Sequence, residues 1–251
     1  MTGARSNIRS VVEQPVYGMA RREDVWIPQH LFLPGNTGLL VECLPKANFY
    51  TDAAHTTPVV NENDPIGSVK YKISDAYATQ STAGSRPSWS SDGLSTDGTA
   101  DYLDTGINAS LSGTILVAGT AVAGANFMGA SAATNGRLYL GLNGSGYLGG
   151  GIGNNSISTI VINGSVVGSY GVYAMSWDRS TVKLYKNGVK GYEGAQSGDV
   201  TTAYSIFLGC VNASGTAAGF IQASGVKSWL FIDRVLSDAE IQKTTRYYGG
   251  L

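Results

Sequence analysis

An Asn-Gly pair, Asn187-Gly188, constrains the fold of this chain more than any other feature of its sequence. Asn and Gly readily adopt φ > 0 at the two central positions of a type I′ turn, which joins adjacent antiparallel strands. The flanking residues alternate between apolar and polar, as in strands with one buried face. The two predicted faces carry Val182 and Leu184 on one side and Lys183 and Tyr185 on the other. The sequence therefore predicts an antiparallel hairpin here.

The composition is that of a turn-rich globular protein. The 251 residues include 34 Gly and 14 Tyr, and only 14% are charged. Apolar residues make up 43%, enough for a core, so the chain is not predicted to be disordered. The net charge of −1 gives no general attraction for nucleic acid. Because no run of 18 apolar residues occurs, membrane insertion is not expected, and the first residues show no secretory signal.

Predicted strands follow one another about every ten residues from residue 94 onward. Gly, Asn and Ser separate them, and such even spacing is typical of an antiparallel sandwich or barrel. Gly149-Gly150-Gly151 lies within one strand and indicates a bulge or a close approach of backbones. A helix is predicted at 238–246, because Ser237 and Glu240 have the spacing of a capping box. The predicted strands are 100–107, 113–122, 126–130, 136–142, 146–152, 158–162, 165–168, 171–177, 181–186, 189–193, 204–210 and 225–233.

Three regions are predicted along the chain. Residues 1–30 form an extended N-terminal arm, residues 31–90 a small β-rich region, and residues 91–251 the sandwich. The arm lacks sustained apolar periodicity, so it has little to bury by itself. The stretch 79–93 is polar and is interpreted as a linker or an extended crossing segment. The basic residues of the arm are Arg5, Arg9, Arg21 and Arg22.

Three segments of the C-terminal part match a known kind of domain. Residues 225–241 contain a strand that runs into an Asp-Arg corner and a short helix, residues 173–189 a central strand pair, and residues 94–103 a first strand. Together they resemble laminin G-like, concanavalin A-like domains over residues 90–251. The resemblance implies an all-β fold: an antiparallel jelly-roll β-sandwich with one short C-terminal helix, preceded by the extended arm.

A second resemblance lies upstream. Residues 49–59, 64–67 and 78–87 are similar to a segment that precedes laminin G-like domains in virion proteins of tailed bacteriophages. This implies a virion structural protein that is assembled in the host cytoplasm. Its partners would be other virion proteins of the capsid, connector or tail, and a homo-oligomer is expected, as a trimer in a fibre. The arm arginines would either dock to the particle, because guanidinium groups pair well with carboxylates, or simply keep the terminus solvated.

Catalytic residues are not predicted. Glucan hydrolases of related fold use a Glu-x-Asp-x-x-Glu motif, whose carboxylates act as nucleophile and general acid, and this sequence has no such motif. Glu193 and Glu240 are the glutamates of residues 90–251, and Glu240 is already assigned to capping. His30 and His55 fall in predicted loops without Cys or His nearby, so neither a zinc site nor a nucleophile triad has its parts. The chain is expected to be non-enzymatic.

No cofactor is expected, but calcium stays open. The resemblance implies a rim site built from Asp and backbone oxygens, which are the hard ligands that calcium prefers. Asp178 and Asp233 also have structural interpretations, the first at the turn before the hairpin and the second beside Arg234. The candidate calcium ligands are Asp101, Asp104, Asp178 and Asp233.

A glycan-binding surface needs aromatic faces surrounded by polar groups. The chain offers tyrosines on predicted strands and amides in predicted turns, whereas Trp177 and Trp229 have apolar neighbours and are expected in the core. The candidate glycan-binding residues are Tyr139, Tyr147, Asn154 and Tyr185.

The main functional hypothesis is a tail fibre or adhesin whose sandwich binds host-surface polysaccharide. Two alternatives are a capsid decoration protein that stabilises the head and a carbohydrate-active enzyme. A tail fibre or adhesin would bind host cells or purified surface polysaccharide. Omission of a capsid decoration protein would weaken the head, and such a protein would not bind the host. A carbohydrate-active enzyme would lose its activity on a glycan when Asp101 or Glu193 is changed.

Overall fold

The strands of this chain alternate between two sheets that pack face to face. The computed structural model describes residues 26–124, 126–132, 135–143, 145–157 and 165–249. Within these residues the strands are β1 (Gly38–Glu42), β2 (Phe49–Tyr50), β3 (Ser68–Lys70), β4 (Tyr77–Thr79), β5 (Ser88–Ser90), β6 (Gly93–Asp97), β7 (Leu103–Asn108), β8 (Gly113–Gly124), β9 (Asn126–Ala132), β10 (Asn135–Leu142), β11 (Leu148–Gly153), β12 (Asn155–Ile157), β13 (Tyr170–Trp177), β14 (Thr181–Lys186), β15 (Val189–Ala195), β16 (Ser205–Leu208), β17 (Val211–Ala213), β18 (Thr216–Ala218) and β19 (Ile221–Ile232). One α-helix, α1 (Asp238–Tyr247), follows them.

The two sheets are named A and B. Sheet A has the order β15-β14-β13-β8-β19-β6-β5, and β1 also pairs with β19. Sheet B has the order β12-β11-β10-β9-β16-β7-β4-β3-β2, and the β17–β18 hairpin joins it at β9. The pairing is antiparallel except between β17 and β9. The predicted all-β, antiparallel jelly-roll sandwich with one short helix is confirmed.

Strands from the predicted small region 31–90 lie in both sheets. In sheet A, β1 pairs with β19 along Gly38–Glu42, and β5 pairs with β6. In sheet B, β4 pairs with β7. The segment 79–93, predicted as a linker or an extended crossing segment, is not a linker, because it contains a 3₁₀ turn at Ala83–Ser85 and strand β5, with Trp89 buried between the sheets. Its polar composition hid a strand with one inward-facing side chain.

The main core lies between the two sheets. Trp177 and Trp229 are buried there, as predicted from their apolar neighbours. Val182 and Leu184 of the predicted hairpin are also fully buried in this core. Both cysteines, Cys43 and Cys210, are buried and unpaired.

A second apolar cluster covers the outer face of sheet A beneath α1. Ile241 of the helix packs with Leu40, Leu116 and Leu230 of the sheet. The predicted capping box is confirmed: the Glu240 N–H donates to Ser237 Oγ, and the Ser237 N–H donates to Glu240 Oε2. The helix therefore closes one side of the molecule.

The hairpin at Asn187-Gly188 is confirmed, with φ of 50° and 75° at its two central residues. Asn187 also anchors the turn, because its Oδ1 accepts a hydrogen bond from the Val172 N–H at 2.8 Å. One strand prediction is wrong and another is not tested. The strand at 165–168 is a turn region, and the strand at 158–162 lies outside the described residues.

Candidate functional site

Tyr139 lies on the outer face of sheet B. Its neighbours in β10, Leu138 and Leu140, are fully buried in the core. Because successive side chains of a strand point to opposite faces, Tyr139 points away from the core. It faces Gly129 on β9 and Gly151 on β11, and neither of these directly opposite residues has a side chain.

The ring of Tyr139 rests on the backbone of Gly151. A Cβ at position 151 would lie 2.2 Å from Cε1 of Tyr139, which is far inside van der Waals contact. The neighbouring Gly150 faces the core, where a Cβ would lie 3.1 Å from Sδ of Met175. The close backbone approach predicted for the Gly149-Gly150-Gly151 run is therefore present, and one of its uses is to support a tyrosine ring.

Arg137 shares this outer face, two residues before Tyr139 on the same strand. It pairs across to Gly153 of β11. Among the described residues Arg137 forms no ion pair with a carboxylate. A partly buried arginine thus shares one face of β10 with Tyr139, and the facing residues of β11 are both glycines.

The β17–β18 hairpin forms the opposite wall of a cleft next to these residues. Its turn, Ser214-Gly215, has φ of 54° and 92°. Asn212 holds the hairpin, because its side-chain amide donates to the Ser205 carbonyl at 2.9 Å and its Oδ1 accepts from the Gly215 N–H at 2.7 Å. The cleft has a volume of about 360 Å³ and is lined by Asn126, Ser131, Arg137, Tyr139, Leu142, Val211, Ala213, Ala218 and Gly219.

This lining combines an aromatic ring, a cation, an amide and a hydroxyl with small apolar residues. Among its described residues there is no Asp, Glu or His, the side chains that serve most often as acids and bases. The arrangement is suited to holding a polar ring-shaped ligand, whose apolar face packs on an aromatic ring and whose hydroxyls meet polar side chains.

A second concavity lies on the outer face of sheet A beside α1. It has a volume of about 350 Å³ and includes Tyr170 and Lys227. Here the aromatic ring is already engaged, because Lys227 Nζ lies 4.9 Å from the Tyr170 ring centroid. The Tyr170 hydroxyl donates to the Tyr248 carbonyl at 2.9 Å. A ligand would have to displace the ammonium group before stacking on Tyr170.

The structure does not bring the four predicted glycan-binding residues together. Tyr139 lines the cleft, but Tyr147 and Asn154 lie in the connections at the two ends of β11 and are not part of its lining. The interpretation of Tyr185 as a surface residue is wrong. Its side chain is 1% exposed, because α1 covers this face of sheet A, and its hydroxyl donates to Asp238 Oδ1 at 2.8 Å.

Three of the four predicted calcium ligands accept local hydrogen bonds. Asp101 accepts from the Asp97 N–H, and Asp104 from the Gly106 N–H. Asp178 accepts from the Ser180 and Thr181 N–H groups at the turn before β14. No three His, Cys, Asp or Glu side chains of the described part of the chain are grouped so that they could hold a metal ion. Calcium stays a prediction.

The interpretation of Asp233 as a partner of Arg234 is wrong. Asp233 accepts hydrogen bonds from the Thr37 N–H and the Asn36 side chain, and so fixes the segment that leads into β1. Arg234 instead pairs with Glu240 at 2.8 Å and donates to the Leu31 carbonyl. The Asp-Arg corner therefore joins three parts of the chain rather than forming one local pair.

Asp97 and Asp101 are neighbouring carboxylates whose pKa values are shifted in opposite directions. Burial, followed by the charge of Asp97, raises the pKa of Asp101 to about 6. Burial opposes ionisation of Asp97 too, but hydrogen bonds from the Ala100 N–H and from Thr99 outweigh it and lower the pKa of Asp97 to about 2. The pair therefore has one carboxylate that titrates near neutral pH.

The arm residues Arg5, Arg9, Arg21 and Arg22 lie outside the described residues. His55 is not a simple surface residue, because its ring stacks on Tyr77 with centroids 3.6 Å apart. Arg137 was missed by the sequence analysis. The feature that could have identified it is its position two residues before Tyr139 in the same strand, with one leucine between them and another after Tyr139. Because residues two apart in a strand point to the same face, both side chains lie on the face opposite to these buried leucines.

No protein-family model matches this sequence, and no curated protein does. Solved structures similar to it include the sialidase of Trypanosoma rangeli in complex with 2,3-difluorosialic acid. That protein is 12% identical, with a TM-score of 0.57 over 86% of this chain and 33% of the sialidase chain. This chain thus spans about a third of the sialidase chain.

Two further structures are less similar. Domain 4 of AbnA, an arabinanase of Geobacillus stearothermophilus in complex with arabinotriose, is 16% identical, with a TM-score of 0.44 over 83% of this chain and 87% of that one. The CBM40 of a Ruminococcus gnavus IT-sialidase, bound to α2,3 sialyllactose, is 20% identical, with a TM-score of 0.43 over 55% of this chain and 83% of that one. At these identities the likeness concerns the fold. Within the described residues, no helix has the length and apolarity needed to cross a membrane.

Proposed function

We propose that this chain is a non-enzymatic glycan-binding protein of a tailed-phage virion, and that it binds glycan in the sheet B cleft. The observation that carries the proposal is the Tyr139 ring, which lies against Gly151 in the lining of the cleft. Aromatic rings fixed in this way offer an apolar face at low entropic cost, because the side chain is already held in place.

The polar groups of the cleft complement the ring. Asn126 lies beside it, with its amide donating to the Gly219 carbonyl at 3.0 Å, so that its position is fixed before a ligand arrives. Preorganised polar groups around an apolar surface give a ligand its orientation. The similar sialidase of T. rangeli was solved with a sialic acid derivative, but that likeness concerns the fold, and the cleft itself supports the proposal.

The non-enzymatic part of the proposal rests on the chemistry of the lining. Glycoside hydrolysis uses two carboxyl groups on either side of the scissile bond. The described lining of the cleft contains neither Asp nor Glu. Asp101, although its pKa is raised, accepts from the Asp97 N–H and is not part of that lining.

The virion part of the proposal rests on the resemblance of residues 49–59, 64–67 and 78–87 to the lead-in of phage virion proteins. On this hypothesis the arm docks to the particle and the sandwich is displayed outward as a tail fibre or adhesin. Several copies in a homo-oligomer would convert weak individual binding into strong attachment.

Glycan binding is tested with Tyr139→Ala. Binding of the full chain to an array of bacterial surface polysaccharides is measured alongside the variant and a matched control, Tyr247→Ala, which removes a 43% exposed tyrosine from α1. We expect Tyr139→Ala to lose most of its binding, because it removes the aromatic ring on which the sugar packs. Tyr247→Ala should bind normally. An unmodified chain that binds no polysaccharide, or equal loss in both variants, would contradict the proposal.

The virion location is tested on purified phage particles with antibody against the chain. Gold label on the tail, with adsorption to host cells blocked by the antibody, is the expected result. Label on the head, together with heads that become fragile when the protein is omitted and adsorption that does not change, would instead support the capsid decoration alternative.

A further inference from the structure

We infer that the cleft selects glycans that carry a carboxylate, which Arg137 recognises while the sugar ring packs on Tyr139. This inference rests on the proposed glycan-binding function and adds the chemical class of the ligand. It starts from the contrast between Arg137 and two arginines of the described part of the chain, Arg86 and Arg179.

Other arginines in the sandwich have protein partners. Arg86 donates to the carbonyls of Gln80, Thr51 and Ser81. Arg179 makes two hydrogen bonds to the Asp199 carboxylate, at 3.0 and 3.1 Å.

Arg137 is different, because in the described part of the chain no carboxylate pairs with it, although it is partly buried. The described lining of its cleft also holds no acidic side chain. A partly buried arginine that has no counter-charge among the described residues favours an anionic ligand.

The spacing of Arg137 and Tyr139 fits one sugar residue. Positions i and i+2 of a strand lie about 7 Å apart on the same face. A pyranose ring packed on Tyr139 would therefore place a substituent carboxylate within reach of the guanidinium. The planar guanidinium fork matches a carboxylate with two parallel hydrogen bonds, which a neutral hydroxyl cannot accept.

The sheet A concavity differs from the sheet B cleft in the charges that line it. There Lys227 sits over Tyr170, and the exposed carboxylate of Asp92 lines the same groove. That carboxylate would repel an acidic sugar. The charge of the two concavities thus points to the sheet B cleft as the anion-binding one.

The test pairs acidic polysaccharides with their carboxyl-reduced forms, in which each carboxylate has become a primary alcohol. Uronic-acid and sialic-acid glycans are used, together with phosphorylated and sulfated neutral glycans. The variants are Arg137→Gln and Arg137→Lys, and the control is Arg246→Gln, which removes the same charge from the exposed face of α1. Thermal unfolding shows whether each variant is folded.

We expect the unmodified chain to bind the acidic form at least about tenfold more tightly than the reduced form, as for a charged bidentate hydrogen bond. Arg137→Gln should remove the preference for the acidic form and keep residual binding of the reduced form. Arg137→Lys should restore part of that preference. Arg246→Gln should change nothing. Because the comparison of the two glycan forms uses the unmodified chain, it holds even if a variant fails to fold.

Three outcomes would overturn the inference. Equal binding of acidic and reduced forms would leave glycan binding intact but exclude carboxylate selection. Binding only to phosphorylated or sulfated glycans would assign Arg137 to a different anion. Failure of the unmodified chain to bind any glycan would overturn the proposed function as well.

Discussion

The pairing of one tyrosine with one glycine defines the candidate site. Gly151 has no side chain, so the Tyr139 ring can lie on the strand backbone instead of standing away from it. A glycine in a strand interior weakens the strand, and its presence often marks the close approach of another group. The group here is the ring that we propose as the sugar platform.

Replacing Gly151 with Ala tests this pairing. The new Cβ would lie 2.2 Å from Cε1 of Tyr139, so the ring must move. We expect glycan binding to fall as far as in Tyr139→Ala, with a loss of stability of about 1–3 kcal/mol from overpacking. Gly84→Ala is the control, because its Cβ would meet nothing within 4 Å. Normal glycan binding by Gly151→Ala would show that the ring position does not matter.

Asp101 predicts a pH dependence of stability. Its pKa in the folded chain, raised to about 6, lies above its unfolded value, so folding disfavours the ionised form. This penalty is absent below the unfolded pKa and grows as pH rises through about 6. Asp101→Asn removes the penalty and should therefore be more stable than the unmodified chain at pH 7.5, by less than about 1 kcal/mol because the group is half exposed.

Urea unfolding at pH 7.5 and pH 5 measures this difference. The advantage of Asp101→Asn should shrink at pH 5. A difference between the two proteins that does not depend on pH would mean that Asp101 is ionised as easily in the folded as in the unfolded chain.

Helix α1 determines which tyrosines are available. It buries Tyr185 against sheet A and ties its hydroxyl to Asp238 at the helix N-terminus. Tyr185→Phe should therefore lower the free energy of unfolding by about 1 kcal/mol, the typical contribution of one hydrogen bond. Glycan affinity, measured on the same array, should not change. A loss of affinity without a loss of stability would return Tyr185 to the binding surface.

The elements differ in how far the sequence predicts them. The Asn187-Gly188 hairpin and the Ser237 capping box are local signals, and both are present as expected. The burial of Tyr185 depends on a helix more than fifty residues away, which alternation along one strand cannot reveal. The strand around Trp89 was missed because its polar neighbours are typical of a loop.

The candidate site was predicted only in part, because it too depends on residues that are far apart in the chain. Tyr139 was recognised as a tyrosine on a strand, but its cleft is closed by the β17–β18 hairpin, which lies far along the chain. The importance of Arg137 follows from the absence of a nearby carboxylate among the described residues, and only the tertiary structure shows this.

The whole molecule is one interwoven sandwich over its described residues. Strand β1 pairs with β19, and Phe49 and Val69 contribute to the core between the sheets. A fragment of residues 91–251 should therefore fail to fold, because it loses these core side chains and exposes the edge of β19. Solubility and near-UV circular dichroism of this fragment, compared with residues 26–251, measure this. A folded fragment would show that the first strands are an accessory layer.

The central claim is that glycan binds to the outer face of sheet B. It is tested most directly by titrating the isotopically labelled chain with the tightest-binding oligosaccharide and following amide chemical shifts by NMR. We predict that the largest changes fall in β9, in β10 around Arg137 and Tyr139, and in the β17–β18 hairpin. Changes confined to the groove around Tyr170 and Lys227 on sheet A would contradict the claim.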